Sequence, residues 1–168
     1  MNYSAIKKND IANGPGVRVS LFVSGCRRHC KNCFNPETWN FYNGNPFDKN
    51  VMDELMRALD REYIAGFTIL GGEPFEEENK GTVYHIIRTI RGKFPDKSIW
   101  CYSGFTFEEL KETSINILEM LDVLVDGPFV EEKKNLRLRF RGSENQRLID
   151  MKKTLATGSV VELESEEV

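Results

Sequence analysis

Three of the four cysteines, Cys26, Cys30 and Cys33, fall within eight residues in the pattern Cys-x3-Cys-x2-Cys. Spacing this short lets one loop wrap a single inorganic centre, with thiolates converging on it from three directions. A structural zinc site normally takes four protein ligands, whereas a cubane iron–sulfur cluster held by three thiolates keeps one iron open for chemistry. The ligand count favours the cluster; the competing reading is a zinc knuckle completed by His29 or Cys101. The second place that could do chemistry is Gly71-Gly72-Glu73-Pro74. Two glycines let the backbone come close to a ligand, and proline fixes the exit of the turn. Glu73 would present a carboxylate beside the cysteines. Taken alone the tetrapeptide is made of common turn components, and it gains weight from lying one strand–helix unit beyond the cysteine pattern.

The elements around these two places have the alternation of an α/β fold. Residues 17–23 alternate as a strand, with Val17, Val19, Leu21 and Val23 on one face, so the cysteine loop leaves a strand's C-terminal end. Loops at that end carry the active site in parallel α/β sheets and barrels. Upstream, Asn13, Gly14 and Arg18 read as a turn and a solvated charge. A helix is expected over residues 50–62, with Val51, Leu55, Leu59 and Tyr63 as its apolar stripe, and a buried strand over 66–70 runs into the double glycine. A helix over 80–93 and a strand over 98–102 follow; His85 falls on the helix surface, and Cys101 is a small buried strand residue. Thr106 with Glu109 forms a capping-box pattern. A helical piece over 116–121 leads to a strand over 123–125, which ends in Asp126. That aspartate either shapes the turn or orders a substrate or cation. Residues 131–141 read as a solvated edge strand, with Lys133, Lys134, Arg137, Arg139 and Arg141 as an alternative positive face. Residues 160–163 could add a short strand, and the tail is expected to fray from about residue 164.

Composition narrows the function classes. A chain of 168 residues is long enough for a real core and reads as a single domain. A net charge of −3 gives no electrostatic reason to expect nucleic acid or an anionic membrane as partner. No apolar run reaches the length of a bilayer span, and the N-terminus lacks a signal-peptide pattern. Clustered cysteines in such a chain point to metal or redox chemistry rather than a disulfide framework, and to the cytoplasm.

Read together, these motifs resemble those of the radical S-adenosylmethionine (SAM) activases of glycyl-radical enzymes, in particular the small activases of anaerobic ribonucleoside-triphosphate reductases. The resemblance covers about residues 1–150 and rests on Asn13-Gly14-Pro15-Gly16-Val17-Arg18, Leu21-Phe22-Val23-Ser24-Gly25-Cys26, Cys30, Cys33-Phe34-Asn35, Thr38-Trp39, Gly71-Gly72-Glu73-Pro74, Asp122-Val123-Leu124-Val125-Asp126-Gly127, and Arg141-Gly142-Ser143 with Asn145-Gln146. It implies a [4Fe-4S] cluster on Cys26, Cys30 and Cys33, and SAM lined by Asn32, Cys33 and Phe34. Gly71, Gly72 and Glu73 would support the amino group of SAM, with Gly72 near its methionine end. Many members of the broad superfamily place an aromatic residue before the third cysteine to pack on adenine; here that position is Asn32, with Phe34 beyond.

The implied reaction is reductive cleavage of SAM and generation of a glycyl radical on the reductase, with no catalytic residue beyond the cluster and SAM. The implied partners are the glycyl-radical subunit and a small electron donor such as flavodoxin. An activase of another glycyl-radical enzyme, such as pyruvate formate-lyase, would share the chemistry, and a zinc-stabilised binding module is the non-enzymatic alternative. A full barrel takes about 250 residues, so the implied fold is an open partial (β/α) barrel of mostly parallel strands.

Overall fold

The computed structural model describes residues 1–164, so the end of the tail expected to fray lies outside the described residues. In chain order the elements are β1 (Asn2–Asp10), β2 (Val17–Val23), β3 (Asn45–Pro46), α1 (Lys49–Leu59), β4 (Ile64–Gly71), α2 (Glu77–Lys93), β5 (Ser98–Tyr102), α3 (Phe107–Leu110), α4 (Ile115–Leu118), β6 (Val123–Asp126), β7 (Arg147–Asp150) and α5 (Met151–Thr157). Short 3-10 turns occupy Pro36–Trp39 and Glu131–Lys133. The strands form one open sheet in the order β3-β1-β2-β4-β5-β6-β7.

Strands β2, β4, β5 and β6 are parallel; β1 on one side and β7 on the other run against them, and β3 pairs antiparallel with the outer side of β1. The architecture is therefore mixed α/β: the sheet is open and parallel in its centre, as expected, and departs from the expected strand set in the antiparallel pairing at its sides. The cause is local: only the turn at residues 11–16 joins β1 to β2, and a parallel pair needs a crossover of about a dozen residues or more. Among the described residues no helix is long and apolar enough to cross a membrane.

The central strands are buried on both faces: helices pack on one, and on the other Phe140 and Leu163, from the 131–141 loop and the C-terminal segment, pack on Trp100, Val123, Val125 and Leu148. In β2, Val19, Leu21 and Val23 are fully buried on one side, and Arg18, Ser20 and Phe22 are buried on the other. Helix α2 presents Val83, Ile86, Ile87 and Ile90 to the core at the 3.6-residue period. Helix α1 is capped by Asp48, whose side chain accepts from the Val51 amide at 2.9 Å. Leu55 and Leu59 of the expected stripe are buried, Met52, Met56 and Ala58 complete the buried face in place of Val51, and Tyr63 lies beyond the helix end. The Thr106–Glu109 capping box opens α3 as expected.

Two segments differ from the sequence reading. Residues 131–141 form no strand; after the 3-10 turn they run as an irregular loop, tied by a single bridge from Lys134 to Ser143. Phe140 takes a left-handed backbone (φ 61°), and its ring meets Trp100 edge-on at 5.5 Å. Near the C-terminus, the short strand expected over 160–163 is reduced to one bridge between Ile149 and Glu162.

The largest departure is Arg18, expected in solvent and found fully buried. Its Nε donates to Thr68 Oγ1 (2.9 Å), Nη1 to Ser98 Oγ (2.9 Å) and Pro15 O (3.2 Å), and Nη2 to Phe67 O and Ser98 O (3.0 Å each). One guanidinium thus ties β2 to β4 and β5. Gly66 makes room for it, since a Cβ there would lie 2.8 Å from Nη2. Burial pushes the Arg18 pKa down to about 10, which leaves it charged at neutral pH.

Candidate metal centre and adjoining cavity

Strands β2 and β4 end side by side, with Val23 in register with Gly71. The loop that leaves β2 is braced before it reaches the first cysteine. Gly25 N donates to Thr38 O (2.7 Å) and Cys26 N to Trp39 O (3.1 Å), so the 3-10 turn acts as its backstop. The double-glycine turn is stitched to the same loop through Gly72 N to Val23 O and Glu73 N to Gly25 O, both 2.8 Å. Asn79 adds a clamp, donating from its amide to Ser24 O and Glu73 O at 3.0 Å. A Cβ on Gly72 would sit 2.6 Å from Gly25 O and 2.8 Å from Thr38 O. The close approach that requires glycine here is therefore to the cysteine loop itself.

Beyond Cys26 the chain enters the left-handed region at His29 (φ 47°) and Asn32 (φ 56°), one on each side of Cys30. Non-glycine residues in that region mark a backbone held by its surroundings. The folded loop brings Cys26, Cys30 and Cys33, all partly buried, to a cavity of about 130 Å³ that Gly71, Gly72 and Gly104 also line. Among the described residues no three His, Cys, Asp or Glu side chains are grouped so as to hold a single metal ion. A larger cavity of about 420 Å³ adjoins the first, and Asn35, Leu70, Tyr102 and Phe129 border both.

The other candidate residues are spread around this centre. Phe34 lines the larger cavity, tilted on Phe129 at 4.9 Å and just over half exposed. Asn32 lines neither cavity, and its side-chain amide donates to Glu131. His29 stacks flat on Trp39 at 4.4 Å, and Cys101 is fully buried in the hydrophobic core. Asp126, a possible substrate or cation ligand, has its oxygens occupied by Phe107 N (2.7 Å) and by Arg147 Nε (3.0 Å) and Nη2 (2.6 Å). It joins β6 to α3 and β7 and is 1% exposed.

Glu73 is not displayed beside the cysteines but buried behind them, 1% exposed. Its Oε2 accepts from Phe75 N (3.0 Å) and Ser103 Oγ (2.9 Å), and its Oε1 from Gly104 N (2.7 Å), which links the β4 and β5 loops. Burial pushes its pKa up; the three donors and Arg28 pull it down, and the balance falls at about 7 against an ordinary 4.5. A carboxyl that holds its proton more tightly when folded stabilises the fold below pH 4.5, and that contribution is lost as pH rises through about 7. At 1.36 kcal/mol per pH unit the loss is on the order of 3 kcal/mol. The urea stability of metal-free wild type should thus fall relative to Glu73→Gln between pH 5 and pH 8. A wild-type-to-variant difference that stays constant across that range would show that Glu73 does not titrate there.

The 4Fe-4S single cluster domain family matches residues 12–149 of this chain. An anaerobic ribonucleoside-triphosphate reductase-activating protein of Enterobacteria phage T4 is 40% identical over 148 residues, covering 88% of this chain and 93% of its own. Proteins with the same name in Escherichia coli K12 and Vibrio cholerae are 38% and 37% identical over 148 residues, each covering 87% of this chain and 96% of their own. The chain belongs to the anaerobic ribonucleoside-triphosphate reductase-activating proteins.

In this activating protein the cavity is also lined by Arg28, Gly104 and Phe129, which the sequence reading does not single out, and by Trp39 and Gly127, which it names only as parts of motifs. For the glycines a signal was present. Each of the four parallel strands ends at a glycine or within two residues of one, at Gly25, Gly71, Gly104 and Gly127. At Gly25, Gly71 and Gly104 the missing side chain admits a neighbouring part of the chain, Phe41, Val23 and Arg28 respectively, so the glycines let the loops at this sheet edge pack closely. Arg28 carried no signal beyond its place between two cysteines.

Proposed function

We propose that this protein is a radical SAM enzyme that generates a glycyl radical on an anaerobic ribonucleoside-triphosphate reductase. The observation that carries the reading is the meeting of three thiols with the Gly71-Gly72 edge in one cavity at the C-terminal ends of parallel strands. The residues suit the cofactors: three sulfur donors leave one iron of a cubane open, and the cavity that Gly71 and Gly72 also line leaves room beside it. Cys26, Cys30 and Cys33 would hold a [4Fe-4S] cluster, with SAM against Gly71 and Gly72 and Phe34 at the rim. Held there, a cluster reduced by an external donor would supply the one-electron reductive cleavage of SAM that hydrogen-atom abstraction from a glycine of the reductase requires.

The chain's own part is to position and to enclose. The braced cysteine loop fixes the thiols, and the Gly72 contact sets the distance between that loop and the glycine edge. The larger cavity, bordered by Phe34 and Phe129, opens beside the thiols and suits a segment of the partner. The names of the relatives support the reductase as that partner. A small electron donor such as flavodoxin would supply the electron in the cytoplasm.

The test is incubation of the reconstituted protein with SAM, reductant and the reductase. A doublet glycyl-radical signal should form in electron paramagnetic resonance. Deuterium placed on the glycine α-carbon should be found in the 5′-deoxyadenosine released. Activation of the reductase with no label in that product would sink direct hydrogen abstraction.

A further inference from the structure

Helix α2 starts at a carboxylate that does not cap it. Glu76 holds the N-cap position, yet its side chain makes no capping hydrogen bond, whereas Asp48, Thr106 and Asp150 cap α1, α3 and α5. It turns instead to the cysteine loop, 49 residues earlier in the chain. Oε1 accepts from the Arg27 amide (2.9 Å) and Oε2 from Arg27 Nη1 (2.7 Å), so both oxygens hold the residue that follows Cys26. The Glu76 side chain is only 9% exposed, which shields these bonds from competing water. Glu78 accepts from Nη1 and Nη2 of the same guanidinium, and the Phe41 ring lies 4.6 Å from its Cζ. That ring also fills the space beside Gly25, where a Cβ would lie 2.2 Å from Phe41 Cδ1.

We infer that Glu76 is a positioning residue for the metal centre, holding the Arg27 amide so that the Cys26 thiol is set in place before metal arrives. The inference rests on the reading of Cys26 as a metal ligand. An acidic first turn by itself favours the helix dipole, and Glu77 and Glu78 already supply one. Glu76 differs in having both oxygens on one residue of another segment. A backbone amide is a firm handle, because the planar peptide that carries Arg27 N also carries the Cys26 carbonyl and Cα. On the other side Cys26 N is held by Trp39 O (3.1 Å). With the planes on both sides of its Cα fixed, Cys26 keeps one φ and ψ, and its Cβ one direction.

The experiment measures iodoacetamide alkylation of each cysteine in the anaerobic, metal-free protein, read by peptide mass spectrometry. Trypsin cuts after Arg27, Arg28 and Lys31, so Cys26, Cys30 and Cys33 are each read on a separate peptide. Glu76→Ala should raise the Cys26 rate roughly tenfold, the worth of one hydrogen bond to a charged group. The core thiol Cys101 should keep its wild-type rate. Glu76→Gln retains an oxygen for the amide and should recover most of the protection. Glu78→Gln removes only an exposed ion-pair partner and should change the Cys26 rate under about threefold. After reconstitution, Glu76→Ala should hold iron roughly 10- to 100-fold less tightly against a chelator, the usual cost of losing a group that orients a metal ligand. An unchanged Cys26 rate in Glu76→Ala, a rise that Cys101 shares, or wild-type iron retention would each overturn the positioning role. Should Glu76→Ala fail to fold, amide hydrogen exchange in wild type decides: Arg27 N–H should exchange more slowly than that of exposed Lys31, and equal rates would overturn the contact. Wild-type protein that takes up no iron would instead remove the cluster reading, and the metal-centre role with it, whatever the alkylation rates.

Discussion

Alanine at any one of Cys26, Cys30 or Cys33 should leave the anaerobically reconstituted protein without its cluster and without SAM cleavage, while Cys101→Ala should still carry about four irons per chain, the content of one cubane. The contrast follows from where the thiols sit. Three of them line one cavity on a loop that is braced at Gly25 and Cys26 by backbone hydrogen bonds. That bracing does not depend on the thiols, so an alanine should remove a ligand and leave the loop in place. Cys101 sits in the hydrophobic core on β5, where burial pushes its thiol well above the ordinary range. Ligation needs the thiolate, and a thiol so placed is the last of the four to give one. Iron and sulfide analysis with the visible spectrum reads the result. Loss of metal from Cys101→Ala alone would show that the three-thiol set is wrong. A colourless protein with one zinc per chain would restore the zinc knuckle.

How far the sequence led depended on how local each determinant was. The cysteine spacing and the double glycine are read directly because their geometry is set within a few residues. Strands β2 and β5 have the limits expected from apolar runs with clear punctuation, and the Thr106 cap is a four-residue pattern. Strand β1 was not legible. Ile6 falls out of phase with Tyr3 and Ala5 and residues 7–10 are all polar, so no apolar alternation spans the segment, and the strand exists because β2 offers it an antiparallel partner. Glu73 was found as a motif but misplaced, because the donors that bury it include Ser103 and Gly104, about thirty residues away. Asp126 stays open between a structural and a ligand role in the sequence for the same reason: its partners Phe107 and Arg147, which settle it as structural, come from elements that flank it only in the fold. The basic stretch 131–141 has a strand-like alternation, yet its one bridge is from Lys134 to Ser143, it joins no strand of the sheet, and it stays a loop.

Arg18 is the extreme of that distance effect, and it carries the second large prediction. Apart from Pro15 O, its hydrogen-bond partners lie about 50 and 80 residues away on β4 and β5, so its burial is set by elements distant in sequence. Arg18→Met should destabilise the fold by about 2–5 kcal/mol, because Phe67 O and Ser98 O lose their donor and an unpaired buried group costs about 1–3 kcal/mol. Thr68 keeps a partner in Asn13 O at 2.8 Å and adds little to the loss. Arg18→Lys should fail as well, since a single ammonium cannot span Thr68, Phe67 and Ser98 as the planar fork does. Urea unfolding of the metal-free protein gives the measurement, and the defect should be confined to stability. Arg18 lies near the start of β2 and the cysteine loop leaves its far end, roughly 15–20 Å away at 3.3 Å per residue. Folded Arg18→Met should accordingly take up iron as wild type does. A stability change within about 0.5 kcal/mol of wild type, the range of an ordinary surface substitution, would mean that the three strands hold together without the arginine's hydrogen bonds.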